Sequence, residues 1–301
     1  MLPDVSACHV LAADGWGSYA QMAWVSACTF RRHHPDVPVI WVVDELTYEN
    51  MKTFPSAVRD GLDLVLRVET GLKTLRDRSR FLKTTLAQHV EGRVLYLDTD
   101  TIVQRPIPEL LQFTGEFAAA LEFNTLPSDR FFPEELANTV YSKLGWNAPT
   151  RLYFNSGVFV VNVSPRTLEL FDRWHFGWQA SRRIGHSSDQ ASLNHAIDEL
   201  GLSPTILAPG WCCSGLGDSP PPAFHIFSRP TGTQALSSCT WPSMLLIVAT
   251  STGTPMREAY AKGTHGVRPL PLTCSGDRAT IGALRSRSVE SCLAPDSLVR
   301  V

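Results

Sequence analysis

Val94-Leu95-Tyr96-Leu97 is an unbroken apolar run that ends in two aspartates, Asp98 and Asp100, one residue apart. A strand made from such a run has no polar face to offer water, so it belongs in the middle of a sheet covered on both sides. Sheets of that kind are mostly parallel and need a helix between successive strands. The chain supplies this alternation through residues 5–210. Further strand candidates are 8–12, 39–43, 62–67, 117–121 and 157–162. Helical periodicity fills 18–33, where Met22, Val25, Ala27 and Phe30 are among the apolar positions, and 74–90, where Phe81, Leu82, Leu86 and His89 share a face. Two more helices are expected over 165–181 and 189–200. The expected class is therefore α/β, a mostly parallel central sheet flanked by helices.

The chain of 301 residues is long enough for one large domain of this kind with a sizeable core. Its composition changes near residue 230. Residues 231–301 are rich in Ser, Thr, Pro and Gly with little periodicity, and read as a poorly ordered tail after a catalytic domain of residues 1–230. A formal net charge of −2 points away from a nucleic-acid partner or a polybasic membrane anchor. No apolar run reaches the ~20 residues of a spanning helix. The N-terminal residues lack the pattern of a secretory signal. The expectation is a cytoplasmic enzyme with no transmembrane segment, with a Golgi or membrane-associated location left open if an N-terminal segment is missing. The seven cysteines contain no CxxC pair, which argues against a zinc module.

The acidic pair carries the first chemistry. In extended chain, residues two apart point to the same side, so Asp98 and Asp100 could converge on one cation. They follow the carboxyl end of a strand, where open α/β sheets bind ligands. Carboxylate oxygen suits Mg²⁺ or Mn²⁺, and such an ion neutralises charge on a departing diphosphate. The competing explanation is a pair of solvated turn aspartates.

Other segments add polar groups at strand ends. His9-Val10-Leu11-Ala12-Ala13-Asp14 ends in small residues, which let a flat base approach the backbone, and in a carboxylate that can bond a base or ribose. Arg80 and Lys83, three apart, share a helix face away from Phe81, Leu82 and Leu86. They are either cations for a nucleotide or a solvated basic face. In Tyr153-Phe154-Asn155-Ser156-Gly157, Gly157 suggests close backbone approach at the start of a buried strand, with Asn155 and Ser156 just ahead of it. Asp189-Gln190 opens a helix, and Asp189 fits an ordinary capping residue.

With these segments in this order, residues 8–230 resemble the retaining nucleotide-sugar transferases of glycosyltransferase family 8, the glycogenin and galactosyltransferase group, with a GT-A fold. The resemblance implies that Ala12, Ala13 and Asp14 line a uridine pocket, with Trp16 or Tyr19 in place of the family's stacking tyrosine. It implies that Asp98, Thr99 and Asp100 hold the metal and nucleotide, with His225 as a third metal ligand. Arg80 and Lys83 would meet the nucleotide, and Asn155, Ser156 and Gly157 the donor sugar. Asp189 would ligate sugar hydroxyls and Gln190 lie near the anomeric carbon. Arg229-Pro230 stands where the family has Lys-Pro, without its neighbouring Gly and Trp.

The expected reaction is metal-dependent transfer of a hexose from a UDP-sugar to an acceptor hydroxyl of unknown identity, with Mn²⁺ or Mg²⁺ as cofactor. Two alternatives remain at this level. A sugar nucleotidyltransferase would need a Gly-rich phosphate loop, of which residues 12–17 are a poor version. A catalytically degenerate UDP-sugar-binding protein would retain the donor side alone.

Overall fold

Seven strands form one sheet, in the spatial order Leu64–Val68, Val39–Asp44, Val5–Leu11, Arg93–Leu97, Phe154–Asn162, Phe117–Leu121 and Thr205–Leu207. The computed structural model describes residues 5–122, 136–147 and 152–207, and of residues 224–226 the backbone. β1 (Val5–Leu11), β2 (Val39–Asp44), β3 (Leu64–Val68) and β4 (Arg93–Leu97) run parallel to one another. β7 (Phe154–Asn162) is antiparallel to both β4 and β6 (Phe117–Leu121), and β8 (Thr205–Leu207) is parallel to β6. This is the mixed, mostly parallel sheet of the GT-A nucleotide-diphospho-sugar transferase fold.

The apolar runs earn their central places. Val94, Leu95, Tyr96 and Leu97 are wholly buried, as are Val39, Trp41, Val42 and Val43 on β2. Each such side chain contributes roughly 1.5–3 kcal/mol on leaving water. Because side chains alternate across a strand, the sheet divides its apolar residues between two cores. Ala7, Leu11, Trp41, Leu95 and Leu97 face one core, with Phe30 of α1 (Ser18–His33). Cys8, Val10, Val42, Val94 and Tyr96 face the other, with Leu82, Phe171 and Trp174.

The helices follow the sequence in type, with shifts at their ends. Between β2 and β3 lie two short helices that carry no long apolar periodicity, α2 (Glu45–Asn50) and α3 (Ser56–Gly61). α4 (Leu75–Thr84) is capped by Thr74, whose hydroxyl accepts from the Asp77 N–H. The helix expected to run to residue 90 stops at Thr84, and a 3-10 turn, Leu86–Gln88, follows. Thr84 and Thr85 both turn their hydroxyls back onto α4 carbonyls, a local bond that competes with continuing the helix.

α5 (Pro108–Leu111) and α6 (Ser142–Leu144) are single turns. α7 (Pro165–Arg183) begins with a capping box between Ser164 and Thr167. α8 (Gln190–Glu199) packs against it closely. A Cβ on Gly177 of α7 would come within 3.0 Å of the Ser192 Cβ, so glycine sets how near the two helices lie.

A second, two-stranded sheet pairs β5 (Thr101–Val103) with β9 (Phe224–Ile226), antiparallel. Its β5 lies against α1, where the Ser26 and Thr101 hydroxyls are bonded at 2.9 Å. The expected boundary near residue 230 and the tail 231–301 lie outside the described residues. Among the described residues no helix is long and apolar enough to cross a membrane.

Candidate functional site

Asp98 leaves the sheet on the same side as Tyr96, two residues earlier. That side faces α4, and the Tyr96 hydroxyl donates to Asp98 Oδ1. Lys83 comes down from α4, its Nζ 3.0 and 3.2 Å from the two Asp98 oxygens. The same Nζ sits 3.6 Å from Asp189 Oδ2, and Arg80 Nε lies 2.8 Å from Asp189 Oδ1 without hydrogen-bond alignment. A chain of alternating charge results: Asp98, Lys83, Asp189, Arg80. Lys83 and Asp189 are almost fully enclosed, at 1% and 2% side-chain exposure. Arg80 and Lys83 therefore do not form a solvated basic face.

The extended geometry expected for the acidic pair is not what the backbone adopts. Residues 98–101 form a tight turn into β5, in which the Asp98 carbonyl accepts from the Thr101 N–H at 3.1 Å and its hydroxyl at 2.7 Å. Thr101 has a hydroxyl to spend on that carbonyl, and β5 must swing out to meet α1, so the strand ends at Leu97. The two carboxyls are still neighbours. Burial, then the charge of Asp98, push the Asp100 carboxyl up to about 6, against the opposing pull of Lys83 and Arg80. Two carboxylates that crowd each other in this way suit a divalent cation by charge and by donor type. Among the described residues no third His, Cys, Asp or Glu completes a ligand group. His225 lies in β9 with its backbone opposite Ile102, so the chain passes beside the turn, but its side chain is outside the described residues, as is Arg229.

Asp189 does not cap α8. Its carboxylate makes no bond to the helix N–H groups and turns to the cations of α4. Burial would raise its pKa, but Arg80 first and then Lys83 outweigh that and hold it below the ordinary carboxylate range. Its backbone carbonyl is anchored by the Trp174 indole at 2.8 Å and the Ser192 hydroxyl at 2.7 Å.

The next residue, Gln190, donates to Glu122 Oε2 at 2.7 Å, and Asn155 donates to the same oxygen at 2.7 Å. An ionised carboxylate only accepts, so Glu122 fixes which end of each amide points toward it. The other ends are used as well: Asn155 Oδ1 accepts from the Gly157 N–H at 2.6 Å and Gln190 Oε1 from the Ser156 N–H at 3.4 Å. Asn155 and Ser156 lie within β7, which starts at Phe154 and not at Gly157 as the sequence suggested. Asn194 of α8 extends the strand by taking the place of a pairing partner, bonding both the N–H and the C=O of Phe154.

At the end of β1, Ala12 and Ala13 are buried and Asp14 is exposed, at 66%. Thr47 of α2 grips this loop: its hydroxyl accepts from the Ala13 N–H at 2.7 Å and lies 2.6 Å from Asp44 Oδ2. Asp44, fully buried, caps α2 through the Leu46 and Thr47 N–H groups. Arg78, also buried, spans from Asp44 (2.7 Å) to Asp14. Of the two aromatic residues expected to meet a base, Trp16 is packed against Phe54 with ring centroids 5.2 Å apart, while Tyr19 is 45% exposed. One further strut ties β1 to the acidic turn: His9 Nδ1 lies 3.0 Å from the Leu97 carbonyl. Burial drives the His9 pKa down to about 4, so the ring is neutral and donates here.

The structure thus gathers Arg80, Lys83, Asp98, Asp100, Asp189, Gln190, Asn155 and Ser156 around the ends of β4 and β7. It places Ala12, Ala13 and Asp14 at the neighbouring end of β1. Sequence reasoning did not single out Asp44, Arg78, Tyr96 or Glu122. A signal existed for two of them: Asp44 and Glu122, like Asp98, are acids that directly follow a buried apolar run.

The fold is that of the GT-A glycosyltransferases, enzymes that take their sugar from a nucleotide-sugar donor. The chain carries a segment, residues 65–210, that matches the nucleotide-diphospho-sugar transferase family. Among solved structures it is similar to the galactosyltransferase LgtC in complex with donor and acceptor sugar analogues, at TM-score 0.56 and 17% identity, over 83% of this chain and 98% of that one. It is also similar to mouse xyloside xylosyltransferase 1 in its apo form, at TM-score 0.50 and 14% identity, over 76% and 99%. At these identities the likeness establishes the fold. No curated protein sequence matches the chain.

Proposed function

We propose that the protein transfers a hexose from a UDP-sugar to an acceptor hydroxyl, with a divalent cation at Asp98 and Asp100 and with retention at the anomeric carbon. The observation that carries this reading is the enclosed sequence of charges Asp98, Lys83, Asp189, Arg80 at the strand ends. It sets a diphosphate-facing carboxylate pair beside a carboxylate and two amides suited to sugar hydroxyls. Thr99, between the paired aspartates, meets the nucleotide in this reading. The complex of LgtC with donor and acceptor analogues supports a donor-plus-acceptor site in this fold.

When bound at Asp98 and Asp100, Mn²⁺ or Mg²⁺ supplies positive charge to the departing diphosphate. The chain's own residues do the rest. Ala12 and Ala13 leave room for the base, and Asp14, steadied by Arg78, bonds to it or to the ribose. Asn155, Ser156, Gly157 and Asp189 hold the sugar, and Gln190 presents its amide near the anomeric carbon. Asp189 is engaged by Arg80 and Lys83 and is a poor nucleophile, so no covalent glycosyl-enzyme is invoked. The acceptor oxygen bonds to the anomeric carbon on the face from which the phosphate oxygen leaves, and its proton passes to that oxygen. His225 as a third ligand and Arg229 as a phosphate contact complete the proposal.

The test is product release across a panel of UDP-sugars with Mn²⁺. Release of UDP with one donor, lost on Asp98→Asn, is expected. Pyrophosphate from a nucleoside triphosphate and a sugar phosphate, with no UDP from any donor, would point instead to nucleotidyl transfer. Tight UDP binding without turnover would mark a degenerate binder.

A further inference from the structure

The charge chain contains one atom that is only loosely engaged. Oδ2 of Asp189 is buried and makes no hydrogen bond of ordinary geometry, with Lys83 Nζ 3.6 Å away and the Ser156 hydroxyl also directed to this carboxyl. A buried carboxylate oxygen left unbonded is costly, and a flexible ammonium with three donors stands just out of reach of it. That ammonium is occupied with both oxygens of Asp98, the same oxygens a divalent cation would need. We propose that Lys83 is a two-position counter-ion: it sits on Asp98 when no divalent cation is bound, and moves onto Asp189 Oδ2 when Asp98 takes up the cation.

The inference rests on the metal-dependent reading above and adds a coupling to it. The required movement is under an ångström, from 3.6 Å to ordinary bonding distance. Lysine suits it, since its four-carbon stem pivots where the planar fork of arginine is fixed. Lys83 cannot escape to water, being 1% exposed, so on losing Asp98 it has Asp189 as its remaining carboxylate. Arg80 already holds the other oxygen, Oδ1, which keeps Oδ2 free as the second seat. Cation loading at the diphosphate side would thereby complete the bonding of the carboxylate proposed for the sugar. Lys83 acts here as a positioning residue.

The experiment measures Mn²⁺ binding to the full chain directly, by the electron paramagnetic resonance of free Mn²⁺, with no sugar donor. Lys83→Met removes the competitor and is expected to tighten Mn²⁺ binding about tenfold, a fraction of the Coulomb interaction available at this separation. Asp189→Asn makes the second seat less attractive and should weaken Mn²⁺ binding several-fold, but not when Lys83 is already methionine. A merely structural lysine predicts the opposite sign, because loosening the site weakens binding. Lys83→Gln serves as a second charge-removing variant, with near-ultraviolet circular dichroism reporting that each variant is folded.

Unchanged or weaker binding by folded Lys83 variants, while Asp98→Asn abolishes binding, would overturn the counter-ion role and leave the metal site standing. Equal Mn²⁺ binding by wild type and Asp98→Asn, with and without UDP, would remove the metal site and this inference with it.

Discussion

Arg78→Met separates a buried charge from its partner and gives a quantitative test of how the loop after β1 is held. Arg78 is 1% exposed and joins Asp44, which is fully buried, at 2.7 Å. Its second partner, Asp14, is largely in water, and a bond to it is worth at most about 1 kcal/mol. Breaking a buried pair by removing one member costs about 3–5 kcal/mol, because the other charge is left without compensation. Asp44 keeps two backbone N–H donors and the Thr47 hydroxyl, so the lower end applies, about 3 kcal/mol. For a domain of roughly 200 residues each kcal/mol shifts Tm by about 2–4 °C, giving a fall of roughly 6–12 °C. Thermal and urea unfolding of Arg78→Met, Asp44→Asn and the double variant form the assay. The double variant should recover part of the loss, since neither buried charge then remains, with a coupling of about 1 kcal/mol or more. A Tm for Arg78→Met within about 2 °C of wild type would refute the reasoning. It would mean that water reaches Asp44, or that the arginine is bound through its exposed end alone.

The remaining predictions concern the site and its supports. With the Asp100 carboxyl at about 6 against an ordinary 3.8, protons compete with Mn²⁺ below that value. Mn²⁺ affinity should fall as pH drops through 6, and Asp100→Asn should remove this dependence in a binding titration. The same shift has the reverse sign for folding. Without metal, the folded chain holds this proton more firmly, so its contribution to stability declines as pH rises from about 3.8 to 6. Asn194→Ala strips the Phe154 N–H and C=O of their partner and should cost about 2–3 kcal/mol in urea unfolding. Glu122→Gln frees the amides of Asn155 and Gln190 to turn over, so kcat should fall by about tenfold or more while UDP affinity stays within about twofold.

What could be read from the chain was whatever depends on periodicity. The apolar run 94–97 announces a wholly buried strand because nothing in it tolerates water, and β4 is one. α1 spans the expected residues because its apolar positions repeat with the helix over four turns. Features decided by single side chains were less legible. The break after Thr84 turns on two threonine hydroxyls, and the turn at Asp98 on a third. β5, β8 and β9 are three residues each, too short to show a period. At the site, the residue types were visible but their partners were not. Asp189 is a good capping residue by type, and only the fold brings Arg80 and Lys83 across to claim its carboxylate. Asp44 and Glu122 were passed over because a lone acid after a strand looks like a solvated turn until the opposite wall is known.

The small sheet has a consequence for the order in which this chain folds. Its two strands join residues 125 positions apart, Thr101 with Ile226, whereas β1 pairs with β2 across 32 residues and β2 with β3 across 24. Loop-closure entropy makes distant pairings slow to form. The large sheet can therefore assemble while β5 is still an open edge, and the segment bearing His225 arrives beside the acidic turn among the last. In refolding, recovery of the β-sheet signal should precede recovery of Mn²⁺ binding, so that the chain passes through a stage that is folded but not yet able to act.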